Sequence, residues 1–113
     1  MFKVEKIGDV VVVRLGGRID VQSALELERQ INEILGMNVN KIVFDFTDVQ
    51  HLSSSGIRVL ISSLRRTTAN KGGIKLSNVS QSVRKILKLV ELENLFNFYN
   101  SVDDALKAFE EKV

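Results

Sequence analysis

Two short runs of apolar residues limit the folds open to this chain more than any other feature of its sequence. VVVVRL (Val10 to Leu15) and KIVFDF (Lys41 to Phe46) are rich in β-branched and aromatic residues, and runs of this length and content predict buried strands. Each run precedes a stretch whose apolar residues recur every three or four positions, as on an amphipathic helix. Strands that alternate with helices favour a largely parallel sheet covered by those helices.

The other segments extend this alternation along the chain. FKVEKI, a Gly8-Asp9 turn and the first apolar run predict an N-terminal hairpin, so the sheet is expected to be mixed. IKLS predicts a further strand, and Leu95 to Tyr99 predicts a short edge strand. Residues suited to helix N-caps precede four apolar stripes: Asp20, the serines of HLSSSGIR, Ser80 and Ser101. The sequence therefore predicts an α/β fold with four to five strands and four to five helices, in the order β-β-α-β-α-β-α-β-α.

Size and composition bound the class of protein. The 113 residues suit one domain over 1–113, and 44% hydrophobic with 27% charged residues is an ordinary globular balance. The absence of cysteine excludes disulfides, thiolate chemistry and sulfur-ligated zinc, and it suits a cytoplasmic location. No run of 18 apolar residues and no leader-like N-terminus is present, so no membrane contact and no export are predicted.

The basic residues are dispersed, and the net charge is only +2. The densest groups fall on the predicted outer faces of helices: Arg58, Arg65, Arg66 and Lys71, then Arg84, Lys85 and Lys88. A nucleic-acid interface usually adds aromatic side chains or a groove-reading motif, whereas the phenylalanines here lie mostly at apolar positions. Solvated helix faces are the favoured interpretation, and no nucleic-acid partner is predicted.

Three consecutive serines stand at a predicted strand-to-helix junction in HLSSSGIR, residues 51–58. N-capping by Ser53 or Ser54 accounts for one or two of the hydroxyls. A helix N-terminus also favours anions, so a phosphoryl group on a first-turn serine would be tolerated and would change the local charge by about −1.5 to −2. On a docking surface this change would act as a switch, and Gly56 would let a partner's backbone approach closely. Plain capping, with Gly56 easing the turn, is the alternative that the residues alone leave open.

A nucleophilic serine is the competing chemistry. His51 lies two residues before Ser53, but the two share a predicted loop and no third residue is evident to orient the imidazole. The G-x-S-x-G pattern of many hydrolases is also absent. The sequence therefore predicts no catalytic residue and no enzymatic activity.

Neither a phosphate-binding loop nor a metal site is predicted. Gly16-Gly17 and Gly72-Gly73 lack the spacing, the lysine and the hydroxyl of a P-loop, and they are expected to form turns. Asp45 and Asp48 are expected at a strand end and in a turn, without the neighbouring ligands that a metal ion needs. No cofactor is expected.

The stretch DFTDVQHLSSSGIRVL (Asp45 to Leu60) resembles the signature of STAS domains, which include the anti-sigma-factor antagonists of bacterial sporulation and stress-response partner switching. In that signature an apolar strand and a Ser/Thr-rich turn lead to Asp-Ser-Ser/Thr-Gly-Leu at a helix start. GGRIDVQSA (Gly16 to Ala24) resembles the family's Gly-x-apolar-Asp mark, and GGIKLSNVSQSVRKILKLVELENLF resembles its third part. The resemblance covers essentially the whole chain and implies the STAS fold.

The resemblance also implies a function. Ser54 matches the serine that the family phosphorylates, and Asp20 matches a loop aspartate near it at the partner interface. Ile57 and Ile86 match apolar positions on partner-facing helices, with core packing as the alternative for both. The implied partners are an anti-sigma factor serine kinase of the GHKL type, bound before phosphorylation and released after it, and a PP2C-type phosphatase that resets the switch.

Ser53 departs from the family pattern, which most often has aspartate at this position. The departure leaves Ser53 and Ser55 as competing phosphate acceptors beside Ser54. Together with Gly56, both are also expected at the partner contact. Some relatives with serine or threonine at this position are scaffold subunits. The alternative function is therefore a non-cycling scaffold or adaptor in a stress-sensing or lipid-transport complex.

Overall fold

A computed structural model describes residues 2–110 of the chain. Within that range the five strands are β1 (Lys3–Ile7), β2 (Val10–Ile19), β3 (Lys41–Leu52), β4 (Gly73–Ser77) and β5 (Phe98–Tyr99). The four α-helices are α1 (Val21–Gly36), α2 (Ser54–Ala69), α3 (Gln81–Leu89) and α4 (Val102–Glu110), and a short 3₁₀ helix covers Glu93–Leu95. The predicted order of strands and helices is confirmed.

The strands form one mixed sheet in the order β1-β2-β3-β4-β5. β1 runs antiparallel to β2 through a tight turn at Gly8, whose φ of 64° suits glycine. Every other neighbouring pair is parallel. The carboxyl ends of β2 to β5 therefore lie at one edge of the sheet, where the helices begin.

Side chains alternate along the strands between two apolar layers. The larger layer joins one face of the sheet to α1, α2 and α3, and it includes Val13 and Phe44. The opposite face of the sheet packs against α4, where Val12 and Val43 share a cluster with Ala105. Because the central strands are covered on both faces, they are continuous apolar runs in the sequence.

β2 and β3 are longer than predicted, and the expected turn at Gly16-Gly17 is wrong. Both glycines lie inside β2, where the register against β3 shifts on either side of them. Gly17 has a φ of 70°, which residues with a side chain rarely adopt, so the pair makes a bulge and not a turn. Past the bulge β2 continues to Ile19 beside β3, so His51 and Leu52 belong to a strand and not to a loop.

Asp45 and Asp48 lie inside β3, which corrects their predicted places at a strand end and in a turn. The Asp45 carboxylate is buried and accepts hydrogen bonds from the Arg14 guanidinium at 2.9 Å and from the Thr47 hydroxyl at 2.6 Å. Arg14 also pairs with Glu5 of β1 at 3.0 Å. The ion pair satisfies the buried carboxylate, and the network joins three neighbouring strands.

The helices begin at side-chain caps. Oxygen atoms of Asp20, Ser80 and Ser101 each accept a hydrogen bond from the backbone N–H three residues later, at 2.9, 3.2 and 3.0 Å. Each bond satisfies one of the unpaired donors of the first helical turn. The predicted starts of α1, α3 and α4 are thereby confirmed.

Candidate functional site at the start of α2

The carboxyl ends of β2 and β3 bring the starts of α1 and α2 together. Ile19 pairs with Leu52 where the two strands end, and the backbone N–H of Ser53 donates to the Ile19 carbonyl at 2.9 Å. Asp20 and Ser53, the next residues, are the N-caps of α1 and α2. Two helix N-termini, each with unpaired N–H groups and a partial positive charge, therefore begin at the same edge of the sheet.

Asp20 supplies a fixed negative charge at this edge. Its carboxylate accepts the backbone N–H of Ser23 at 2.9 Å and remains exposed. This hydrogen bond, reinforced by the Ser23 hydroxyl, holds the pKa of Asp20 below its ordinary value. The carboxylate is therefore ionised at neutral pH.

The three serines of the triplet have different environments. The hydroxyl oxygen of Ser53 accepts the backbone N–H of Gly56 at 3.2 Å, so Ser53 is the N-cap of α2. Ser54 is the first residue of the helix and is exposed, whereas Ser55 is half-buried in a groove beside α1. Of the two serines predicted as caps, the structure selects Ser53 and leaves Ser54 facing outward.

Gly56 faces the protein's own core, which corrects the prediction that it leaves room for a partner's backbone. It is buried, and a Cβ atom here would lie 2.8 Å from Ile19 Cγ2 and 2.8 Å from Leu52 Cδ1. These distances are well below van der Waals contact. The absent side chain lets α2 pack closely against the ends of β2 and β3.

A shallow groove runs along the outer side of α2 from Ser54, and it is termed the α2 groove. Its volume is about 440 Å³, and its lining residues are Ser54, Ile57, Arg58, Ile61, Ser62, Arg65 and Arg66. Three of these residues are arginines and none is acidic, so the groove is electropositive with an apolar floor. Ile57 is only 7% exposed and packs mainly in the core.

A second groove of about 220 Å³, the α1–α2 groove, separates the two helices. Its lining residues are Val21, Ala24, Leu25, Glu28, Ser55, Arg58 and Val59. Val21 and Leu25 are 62% and 60% exposed, and neither was predicted from the sequence. The available signal was that both apolar residues lie off the α1 stripe that carries Leu27 and Ile31. Val21 and Leu25 therefore expose apolar surface beside Ser55.

Other predicted features lie elsewhere or are not found among residues 2–110. Ile86 is half-buried on α3, packs against the core and lines neither groove at the serines. In the described part of the chain, no three histidine, aspartate or glutamate side chains are grouped as metal ligands would be. No helix between residues 2 and 110 has both the length and the apolar content that crossing a membrane requires.

Comparisons with known proteins relate this architecture to one family. A family model described as the STAS domain matches residues 1–105. The anti-sigma-F factor antagonist RsfB of Mycobacterium tuberculosis is 28% identical over 99 residues, which cover 86% of this chain and 79% of RsfB. The crystal structure of an anti-sigma factor antagonist from Mycobacterium paratuberculosis is 27% identical, with a TM-score of 0.82 over 98% of this chain and 94% of that one. The anti-sigma factor antagonist SpoIIAA in its unphosphorylated form is 23% identical and has the same fold, with a TM-score of 0.86 over 100% of this chain and 99% of SpoIIAA.

Proposed function

The chain belongs to the STAS domain family, and on this basis we propose that it is an anti-sigma factor antagonist controlled by phosphorylation of Ser54. It acts as a binding protein that contributes the acceptor serine and the docking surface, while ATP belongs to the partner kinase. The observation that carries the proposal is the exposed Ser54 at the start of α2, with an electropositive groove on one side and exposed apolar residues on the other. The relative RsfB, an anti-sigma-F factor antagonist, supports it.

The environments of the serines favour Ser54 as the acceptor. Ser53 is half-buried and its Oγ accepts the N–H of Gly56, so its hydroxyl is engaged in the cap of α2 and is less accessible to a kinase than that of Ser54. Ser55 is half-buried beside α1, and a kinase would have to open that groove to reach it. Ser54 is exposed and lies outside the cap, so its modification leaves the helix start intact.

The partner in this proposal is an anti-sigma factor serine kinase of the GHKL type. The kinase transfers the γ-phosphoryl group of its ATP to Ser54 Oγ: the bond from phosphorus to the ADP oxygen breaks, the bond to Oγ forms, and the hydroxyl proton passes to a base on the kinase. A PP2C-type phosphatase resets the switch by hydrolysis, in which water supplies the new oxygen on phosphorus. Serine and inorganic phosphate are the products.

Charge explains why phosphorylation would release the partner. Burial of the exposed parts of Val21 and Leu25 would stabilise a complex by about 1 to 2 kcal/mol each. A phosphate on Ser54 adds about −1.5 to −2 charges near the ionised Asp20. Removing a charge of this size from water at an interface costs several kcal/mol, which opposes the gain from the apolar contacts.

The acceptor is tested by incubating the full chain with ATP and a GHKL-type serine kinase from the same organism, and then mapping phosphate by mass spectrometry. We expect one phosphate, on Ser54, and none in Ser54→Ala. Ser53→Asp should also be modified on Ser54, because aspartate caps helices as well as serine does and removes one competing acceptor. Ser80→Ala, which changes an exposed cap of α3, is the matched control and should be modified like the wild type.

Binding to the same kinase tests the switch. Ser54→Ala should bind like the wild type, and Ser54→Asp should bind at least about tenfold more weakly. Equal affinities of these two variants would contradict the switch at this position, and phosphate on Ser55 alone would reject Ser54 as the acceptor. No phosphate on any of the three serines, together with a stable high-order assembly of the purified chain, would favour the scaffold alternative.

A further inference from the structure

Arg58 lies where the two grooves beside Ser54 meet. It lines both the α2 groove and the α1–α2 groove, and its side chain is exposed. Arg66, two turns further along α2, donates a hydrogen bond to Asn32 Oδ1 at 2.6 Å. Among residues 2–110, Arg58 makes no ion pair and no side-chain hydrogen bond. Its guanidinium is therefore available to a ligand.

Ser54 and Arg58 are one helical turn apart on α2. Side chains four residues apart on a helix are neighbours, with Cβ atoms about 5–6 Å from each other, and both residues line the α2 groove. A phosphoryl group extends the serine side chain toward solvent on this face. An arginine side chain is long enough to span this separation, and guanidinium–phosphate pairs form strong bidentate hydrogen bonds.

We propose that Arg58 is the internal counterion of phosphorylated Ser54. This inference rests on the proposed function, because it takes Ser54 as the phosphate acceptor. Before phosphorylation, Arg58 can pair with an acidic side chain of a docked partner. After phosphorylation, the phosphate holds the guanidinium. Phosphorylation thus adds negative charge to the docking surface and also withdraws a cation from it.

The other charged groups at this end of the molecule belong to α1 and its N-cap, to α2, to β3 and to β2, where the exposed Arg18 pairs in register with His51. Asp20, the N-cap of α1, and Glu28 within α1 are carboxylates that oppose the phosphate dianion, and Glu28 lines the α1–α2 groove with Arg58. Arg65 lies about two turns beyond Arg58 in the α2 groove. His51 is half-buried at the end of β3. A valid test must separate Arg58 from all of these groups.

The test places phosphoserine at position 54 of the full chain during translation and follows its titration by ³¹P NMR. Arg58→Gln should raise the second pKa of the phosphate by about half a unit, because removal of the cation disfavours the dianion. Arg58→Lys keeps a positive charge without the bidentate geometry, so a smaller rise is expected. Arg65→Gln is the matched control and should leave the titration unchanged, and a His51→Gln background removes the imidazole from every comparison.

An unchanged phosphate pKa in Arg58→Gln would overturn the proposal. An equal rise in Arg65→Gln would also overturn it, because the general field of the helix arginines would then explain the shift. The phosphate is installed without a kinase and titrated without a partner, so the outcome does not depend on whether a kinase recognises Ser54. Failure of this test and failure of the proposed function are therefore distinguishable.

Discussion

The Gly56→Ala substitution tests directly how closely the start of α2 packs against the sheet. The new Cβ atom would lie 2.8 Å from both Ile19 Cγ2 and Leu52 Cδ1, and these side chains are 0% and 3% exposed. Ile19 Cγ2 is bonded directly to a branched Cβ, so it cannot move away without rotation of the whole side chain. The start of α2, with its Ser53 cap, would have to shift instead.

Two opposing effects set the magnitude of this change. Overpacking of a core site costs about 1 to 3 kcal/mol, whereas alanine is favoured over glycine in a helix by about 0.5 to 1 kcal/mol. The expected net loss in the free energy of unfolding is about 1 to 2 kcal/mol. For a domain of this size the corresponding fall in Tm is about 4 to 8 °C. Urea denaturation followed by circular dichroism measures the free energy, and thermal unfolding measures the Tm.

Gly36→Ala is the matched control, because Gly36 also lies in a helix and a Cβ there would meet nothing within 4 Å. It should be as stable as the wild type or up to about 1 kcal/mol more stable. If Gly56→Ala behaved in the same way, close packing against Ile19 and Leu52 would not explain the glycine. A requirement for a partner's approach would then become the better explanation.

Three further changes test the contacts that hold the sheet and α1. Asp45→Asn should lower the free energy of unfolding by about 1 to 2 kcal/mol. The loss is smaller than for a fully buried ion pair, because the Arg14 side chain is 40% exposed and can rehydrate. Urea denaturation measures this free energy, and an unchanged midpoint would contradict a structural role for the pair. Gln30→Ala removes two hydrogen bonds to the Phe2 backbone, at 3.0 and 2.8 Å, so a loss of about 2 kcal/mol and faster hydrogen exchange at the Phe2 amide are expected, while the exposed Gln22→Ala should change neither. The pKa of Asp20 is lower in the folded than in the unfolded protein, so the stability that its charge contributes is present above the unfolded pKa and is lost as the pH falls through the folded pKa. The urea denaturation midpoints of the wild type and Asp20→Ala should therefore differ at neutral pH and converge in acid. A difference that stays constant with pH would show that the charge of the cap is not its origin.

The order of elements could be predicted because burial on both faces leaves a local signature. Val12 and Val43 face α4 while Val13 and Phe44 face the other three helices, so the strands appear as unbroken apolar runs whatever the pairing. Where β2 ends could not be predicted in the same way. A Gly-Gly pair is compatible with a turn or with a bulge, and the choice depends on pairing with β3, which is remote in the sequence.

The burial of Asp45 could not be predicted from the sequence for a similar reason. Aspartate is disfavoured inside strands, so the residue was expected at a strand end. Its partner Arg14 is 31 residues away in the sequence and one strand away in the sheet. The two charges lie 2.9 Å apart only in the tertiary structure, so the local sequence pattern could not predict the ion pair.

The candidate site, too, could be predicted only in those features that depend on the local sequence. The serine triplet and the helix start were evident locally, but the separate roles of the serines depend on the hydrogen bond to Gly56 and on α1 packed beside Ser55. These contacts bear on the proposed switch. Gly56 seats the first turn of α2 tightly against the ends of β2 and β3, so a phosphate on Ser54 would be added to a rigid helix start. A rigid acceptor with an arginine one turn away favours release of the partner by altered charge and not by refolding of the helix start. It predicts that the backbone around Ser54 is the same in both phosphorylation states.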